Sequence, residues 1–279
     1  METYATIVYV ISDEVLRLLN VTDDPQSKMS NAEVITFAIL SARFFSANFK
    51  LSRYVCRRLN LFSNILSNSR LNRRIHSISW TSWYAIFRLL AMIAKQDEAT
   101  AYFAVDSFPV RCCQKNRIDK RKRFLATKFI GFAASQKRHF CGIKVHMIVT
   151  NQGRPLEVVF KPGSESDVSV LWSMELDLPD QAMLYADGAY NCFDLEDILA
   201  DEGILFLAKR GSKAKNRLRT REEEKAISSK RQIVETAFSS ITSLFPRYIK
   251  SRTESGFMVK VLCLIVAYSA SFLWRGLLI

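Results

Sequence analysis

Residues that break or crosslink secondary structure are scarce in this sequence of 279 residues, which has nine glycines, six prolines and six cysteines. The cysteines form no CxxC pair, and no histidine stands at zinc-finger spacing from them, which excludes a recognisable zinc module or disulfide framework. The neighbours Cys112 and Cys113 are interpreted as reduced thiols, because adjacent residues of a strand point to opposite faces.

Long apolar runs are also missing. The longest uncharged apolar run near the end, residues 261–274, has 14 residues, whereas a helix needs about 20 to cross a bilayer. We therefore expect a buried helix there. Glu2 stands where a signal peptide carries positive charge, so we expect a cytoplasmic protein. With 49% hydrophobic residues, the chain can bury the core of one or two domains.

Basic residues outnumber acidic ones by 40 to 27, which gives a formal net charge of +13. This excess predicts an anionic partner, of which nucleic acid is the commonest and a membrane surface the alternative. The charge is arranged in blocks: residues 151–208 contain 12 acidic and 2 basic residues, and the segments on either side are strongly basic. Such a pattern is expected if carboxylates bind metal while lysines and arginines bind phosphates.

The first 98 residues contain no glycine and are predicted to form an all-α domain. Apolar residues recur at helical spacing from Ile7 to Leu19. Ser30 and Glu33 match a capping box at the start of a second helix. We expect this domain to bind DNA, with a solvated helix face as the alternative for its candidate contacts. These candidates are Arg70, Arg73 and Arg74.

From residue 99 the pattern changes to short apolar or alternating runs bounded by turn residues. The predicted order is three strands, then helix, strand, helix, strand and a long helix over about 221–246. Three consecutive strands followed by alternating helices favour an α/β fold with a mixed five-stranded sheet flanked by helices. We therefore predict a helical domain, 1–98, and an α/β domain with C-terminal helices, 99–279.

Three acidic residues of the second domain require an explanation. Asp106 and Asp187 each follow a predicted buried strand, where a charge must be paired or bind a metal. Glu235 lies at the border of the packed face of the long helix, and Arg231, one turn earlier, could bind this carboxylate or a phosphate. The alternatives are turn-forming aspartates and a surface ion pair worth about 0.5 kcal/mol. Asp167 competes for the metal role, but its position favours an N-cap.

A basic run between the first two predicted strands is expected to lie beside these carboxylates. Its members that we expect to contact DNA phosphates are Lys115, Arg117, Lys120, Arg121, Lys122 and Arg123. Six further basic residues between 209 and 219 are expected to assist them. Contacts of this kind give affinity without sequence choice, and a solvated loop is the alternative.

Four segments together resemble a known family. They are Asp-Ser-Phe-Pro-Val at 106–110, Gly-Ile-Lys-Val-His at 142–146, Tyr-Ala-Asp-Gly-Ala-Tyr at 185–190 and Arg-x-x-x-Glu at 231–235. In this order and spacing they are similar to the DDE transposases of bacterial insertion sequences, with insertion-sequence family 982 as the most similar group. The arginine-containing segment 69–74 also resembles that group, so the resemblance covers nearly the whole chain.

The resemblance implies a ribonuclease H-like core in which Asp106, Asp187 and Glu235 are both catalytic residues and metal ligands. Oxygen ligands without a His or Cys cluster favour Mg²⁺, with Mn²⁺ as a substitute. The implied function is a DNA transposase that cleaves element ends and joins their 3′-OH groups to target DNA by two-metal transesterification.

The implied partners are double-stranded DNA, both the terminal inverted repeats and the target, and a second copy of the chain in a synaptic complex. No membrane partner is expected, and a transposase of this kind would be associated with the bacterial nucleoid. Two alternatives remain open at this point. One is a stand-alone nuclease with the same core, and the other is a catalytically inactive DNA-binding relic of a mobile element.

Overall fold

A computed structural model describes residues 1–96, 102–113, 129–133, 138–210, 215–246, 249, 251 and 253–276. Its helices are α1 (Glu2–Leu18), α2 (Asn31–Phe45), α3 (Phe49–Arg58), α4 (Asn68–Ser77), α5 (Trp80–Gln96), α6 (Asp167–Leu171), α7 (Phe193–Asp201), α8 (Arg221–Ser243) and α9 (Glu254–Gly276). Its strands are β1 (Tyr102–Cys113), β2 (Ile130–Ala133), β3 (Arg138–Thr150), β4 (Pro155–Pro162), β5 (Met183–Ala186) and β6 (Leu205–Ala208).

The chain divides into two compact units. The first contains residues 1–92 and 240–279, and the second contains residues 93–239. The C-terminal helix α9 therefore groups with the N-terminal helices, whereas the sequence-based division assigned it to the α/β domain. The reason lies in its apolar surface, which packs against α1 and α2.

The first unit is helical, as the absence of glycine and the apolar spacing indicate. The capping box is confirmed: Ser30 Oγ accepts from the Glu33 N–H at 3.0 Å, and Glu33 Oε2 accepts from the Ser30 N–H at 2.8 Å. A short break separates α4 from α5. The break follows from Ile78, which has an extended backbone, and from Ser79, whose hydroxyl accepts from the Ser82 N–H at 3.1 Å.

The core of the first unit is formed around α2 and α9. Most of α2 is buried, and Tyr4 of α1 donates a hydrogen bond of 2.8 Å to the carbonyl of Ala267 in α9. By length and composition the segment Glu254–Trp274 could also cross a membrane, but 72% of its apolar window is buried inside the protein. The apolar run at 261–274 thus forms a buried helix, as predicted.

The second unit is built on a mixed sheet. Strand β3 pairs antiparallel with β1, β2 and β4, whereas β1 pairs parallel with β5, and β5 pairs parallel with β6. The expected mixed sheet flanked by helices is therefore confirmed. The sheet has six strands in the described part of the chain, not five. The added strand is the short β2, which pairs only with the first residues of β3.

The capping box offers a test of the helical unit. Replacing Ser30 with Ala removes the acceptor of the Glu33 N–H, and we expect the free energy of unfolding to fall by about 1 kcal/mol. Urea denaturation measures this loss. Ser228→Ala is the control, because Ser228 is exposed in the interior of α8 and caps no helix. Equal losses in the two variants would contradict a capping role.

Candidate active site

The parallel pairing of β1 and β5 brings the first two acidic residues together. Val105 of β1 is in register with Ala186 of β5. Asp106 directly follows Val105, and Asp187 directly follows Ala186. Both aspartates therefore lie at the position where the parallel pairing of β1 with β5 ends, and their side chains start from adjacent points. Two residues that are 81 positions apart in sequence therefore become neighbours.

The interpretation of Asp106 as a turn residue at a strand end is wrong. Strand β1 continues to Cys113, because β3 pairs with it well beyond Asp106. Only its pairing with β5 ends at Val105. Asp106 therefore lies within a strand, and its carboxylate has no role in a turn. Asp187 does lie at a strand end, where it precedes a 3-10 turn at Gly188–Tyr190 without capping it through its side chain.

Helix α8 supplies the third acidic residue. Val234 and Phe238 lie on the packed face of α8 and are buried, with exposures of 0% and 8%. The ring of Phe238 packs against Phe108 of β1 with centroids 4.5 Å apart. This packing fixes α8 beside β1 and directs Arg231 and Glu235 toward the aspartates.

Arg231 is the point on which the three carboxylates converge. Its Nη2 lies 2.7 Å from Asp106 Oδ2 and 3.8 Å from Glu235 Oε1, and its Nη1 lies 3.6 Å from Asp187 Oδ1. The Arg231 side chain is only 10% exposed. Three carboxylates from three separate segments are thus held around one guanidinium.

The three carboxylates differ in their surroundings. Burial raises the pKa of Asp106, while the charge of Arg231 and the N–H of Ser107 act in the opposite direction. The Asp187 and Glu235 side chains are 45% and 61% exposed. Asp106 is therefore the buried member of the group, and the other two carboxylates face the solvent from which a substrate would arrive.

A fourth carboxylate lies next to this group. Asp167 Oδ1 accepts from Lys144 Nζ at 2.7 Å and from Ser107 Oγ at 3.1 Å. The predicted N-cap role of Asp167 is wrong, because Ser166 caps α6 by accepting from the Ser169 N–H. Asp167 is the first residue of α6, and its carboxylate is free to bind the polar side chains of β1 and β3.

A buried histidine, His146, lies next to Asp167. His146 is fully buried, and its Nδ1 lies 3.0 Å from the hydroxyl of Tyr190 and 3.7 Å from Asp167 Oδ1. Burial lowers the pKa of His146 to about 4. Burial also raises the pKa of Tyr190. Both groups are therefore neutral near pH 7, and His146 is a hydrogen-bonding group of the core. Sequence reasoning had no signal for its partner, which is 44 residues away.

The basic residues expected at the DNA have different environments. Arg70 and Arg73 are exposed on α4. Arg74 donates to the carbonyl of Met29 at 3.1 Å, to Asn31 Oδ1 at 3.0 Å and to the Ser27 hydroxyl, so it holds the segment before α2. The six basic residues between Lys115 and Arg123 lie outside the described residues.

The arginines of the second basic segment serve the fold. Arg210 Nη2 is 2.6 Å from Glu196 Oε2, and Arg217 and Arg219 lie within 3.5 Å of the same carboxylate. Glu196 is almost fully buried, which explains why it gathers several cations. Their expected role as additional phosphate contacts stays a prediction. Lys209 and Lys215 are exposed, and Lys213 lies outside the described residues.

The donor set of the site suits a hard divalent cation. Three carboxylates with no sulfur or imidazole among them are the ligands that Mg²⁺ prefers. Among the described residues, no three His, Cys, Asp or Glu side chains surround a common point as metal ligands. The cationic Arg231 occupies the centre of the group instead, and it offsets one of three negative charges.

Comparison with known proteins identifies the family. The family described as "Transposase DDE domain" matches residues 95–246, more than half of the chain. The chain belongs to this family and is thus a DNA transposase of the nuclease and strand-transferase class. No protein of curated function matches the sequence.

A solved structure supports the fold. The piggyBac transposase in a synaptic complex with hairpin DNA is similar to this chain with a TM-score of 0.56 and 9% sequence identity. The similarity covers 98% of this chain and 74% of the piggyBac chain. At this identity the likeness concerns the fold alone.

The position of Arg231 between the three carboxylates leads to a prediction on the stability of the protein. Arg231→Met leaves the largely buried Asp106 without its counter-charge, and we expect a loss of about 3 kcal/mol in the free energy of unfolding. Urea denaturation near neutral pH measures this loss. The double variant with Asp106→Asn should recover most of it, because an amide needs no counter-charge. Arg17→Met, which removes an exposed pair with Glu14, is the control. A single variant as stable as wild type would refute the pairing.

The burial of His146 predicts that the free energy of unfolding depends on pH. Because its pKa falls from 6.5 to about 4 on folding, the unfolded chain binds a proton in this interval that the folded chain does not. Stability is therefore lost as the pH decreases below 6.5. Between about pH 7.5 and about pH 5, wild type should lose about 2 kcal/mol more than His146→Gln. Urea titrations at both pH values test this, and equal losses would show that His146 does not titrate in this way.

Proposed function

We propose that this transposase acts on an insertion sequence of the family-982 type, cleaving its ends and joining the 3′-OH groups to target DNA. The observation that carries the proposal is the convergence of Asp106, Asp187 and Glu235 on Arg231. The fold does not by itself require this acidic centre, because a buried ion pair such as that of Arg231 and Asp106 can be replaced by apolar side chains at little cost in stability.

Asp106, Asp187 and Glu235 would hold Mg²⁺, with Mn²⁺ as a substitute. Bound there, the metal pair would supply activation of the attacking oxygen and stabilisation of the leaving 3′ oxygen. Water as the attacking group gives a nick, and a 3′-OH gives strand transfer, so one site serves both reactions.

The residues around the carboxylates would orient them and bind the substrate. Arg231 offsets part of the negative charge of the group and is close enough to contact a phosphate that approaches Asp106. The pair Lys144–Asp167 with Ser107 holds β1, β3 and α6 together next to Asp106. The basic residues between Lys115 and Arg123 would bind the phosphates on either side of the reacting one.

The proposed partners are double-stranded DNA and a second copy of the chain. A net charge of +13 supports binding to a polyanion. The piggyBac transposase was solved in a synaptic complex with hairpin DNA, and by analogy this chain would bring two element ends together as a homodimer. The site of action would be the bacterial nucleoid.

Substitution of the carboxylates tests the proposal. In Asp106→Asn, Asp187→Asn and Glu235→Gln, Mg²⁺-dependent nicking and strand transfer should fall by at least about a thousandfold, because each change removes a charged ligand. Labelled duplexes that contain the DNA flanking the gene are the substrates, and DNA binding should be retained. Glu165→Gln is the matched control, since Glu165 is a carboxylate that pairs with Lys161 and is not one of the three proposed metal ligands.

Different outcomes separate the alternatives. Nicking without joined products would identify a nuclease. Calorimetry without Mg²⁺ or Mn²⁺ uptake, even with DNA present, would identify an inactive DNA-binding relic. Full activity of Asp187→Asn would refute the site itself.

A further inference from the structure

Strand β1 is irregular near its end. Arg111 of β1 is in register with Gly142 of β3, and Cys113 is in register with Cys141. The two neighbours Cys112 and Cys113 of β1 therefore stand opposite a single residue of β3. An insertion of this kind is a β-bulge, which bends the strand and changes the direction of a side chain.

The bulge places the thiol of Cys112 beside the thiol of Cys141. Cys112 Sγ lies 3.5 Å from Cys141 Sγ and donates to the Cys141 carbonyl at 3.2 Å. Gly142 allows the two strands to approach here, because a Cβ atom at this position would overlap the carbonyl of Val110 in β1. Two sulfur atoms from residues 29 positions apart are therefore in direct contact.

The two sulfur atoms are close enough for a covalent bond to form with little movement. A disulfide has an S–S length of about 2.05 Å, so the sulfurs would have to approach each other by about 1.5 Å. The backbones of β1 and β3 are already paired at this level. Rotation of the two side chains about their Cα–Cβ bonds can supply a movement of this size.

The two thiols differ in exposure in the way that a stepwise oxidation requires. Cys112 is half-buried, whereas Cys141 is only 2% exposed. An oxidant in solution therefore reaches Cys112 first, and Cys141 is the adjacent thiol that can react with the oxidised sulfur. Cys192 is also half-buried, but its sulfur contacts no other cysteine in the part of the chain that the structure describes.

We propose that Cys112 and Cys141 are a redox-sensitive modification site and form a reversible disulfide when the protein is exposed to hydrogen peroxide. The Cys112 thiol gives two electrons to the peroxide, which releases one water and leaves a sulfenic acid on Cys112. The Cys141 sulfur then attacks the Cys112 sulfur. The S–S bond forms, and the sulfenic hydroxyl leaves with the Cys141 proton as a second water. A dithiol reductant reverses the bond by exchange.

The position of the pair determines what its oxidation does to the chain. A bond between Cys112 and Cys141 closes a loop over residues 112–141, which contains the six basic residues between Lys115 and Arg123. Closing a loop of this length reduces the number of conformations of the unfolded chain and so favours the folded state. Oxidation should therefore stabilise the second unit while it joins the two ends of the basic segment.

Oxidation of the full-length protein tests the proposal. The protein is reduced, separated from the reductant and incubated with hydrogen peroxide. The remaining thiols are then blocked with N-ethylmaleimide, and the protein is digested without reductant. Mass spectrometry should show a crosslink between the peptides of Cys112 and Cys141, and dithiothreitol should remove it.

Three variants assign the crosslink to its sulfurs. Cys112→Ser should abolish it. Cys192→Ser, which removes a thiol of similar exposure, is the matched control and should form it in the wild-type amount. Cys113→Ser should retain it as well, because the proposed bond uses the inserted residue of the bulge. Fragment spectra of the wild-type crosslink distinguish Cys112 from Cys113 even if a variant does not fold.

Urea denaturation gives a second measurement. Oxidised wild type should unfold at a urea concentration at least about 0.5 M higher than reduced wild type, because the crosslink restricts the unfolded chain. Peroxide treatment of Cys112→Ser should leave the midpoint unchanged. The same treatment of Cys192→Ser should raise it as in wild type.

Several results would overturn the proposal. One is a crosslink from Cys113 to Cys141 that persists in Cys112→Ser, and another is sulfinic acid on Cys112 without any disulfide. A midpoint of oxidised wild type that is not above the reduced one would also reject it. Because these measurements need neither DNA nor metal, their outcome is independent of whether Asp106, Asp187 and Glu235 form an active site.

Discussion

The ion pairs between Arg231 and three carboxylates are the constraint on which the candidate active site depends. Asp106 is largely buried, and a buried carboxylate without a partner costs several kcal/mol. The partner is 125 residues away and reaches Asp106 only when α8 is packed against β1. The three carboxylates can therefore come together only when two contacts are formed. One is the pairing of β1 with β5, and the other is the packing of α8 on β1 through Phe238.

Arginines have three different roles in this protein. Arg231 binds the carboxylates of the candidate active site. Arg210 and its neighbours surround the buried Glu196 and hold β6, α7 and the segment before α8 together. Arg58 of α3 is exposed, and its guanidinium lies 5.6 Å from the ring centroid of Tyr54. A net charge of +13 predicts an anionic partner but does not distinguish these roles, because each depends on which carboxylate the fold places beside the guanidinium.

Local patterns predicted much of the secondary structure. The capping box at Ser30 was identified because both of its hydrogen bonds are formed between residues three positions apart. The strand that contains Asp106 was predicted too short, since its second half is stabilised by pairing with β3 and not by its own sequence. The grouping of α9 with the N-terminal helices was not part of the prediction, because an apolar run predicts burial without indicating the surface that covers it.

The sequence by itself determined the helical character of the first unit, the mixed sheet of the second and the acidic residues that could form a site, since these follow from periodicity, capping and residue type. Only the tertiary structure decided that Asp167 binds Lys144 and Ser107, that His146 contacts Tyr190, and that α9 packs against α1 and α2. The physical reason is that hydrogen bonds and ion pairs between distant residues depend on strand register and helix packing. Both are properties of the whole chain, and no local pattern encodes them.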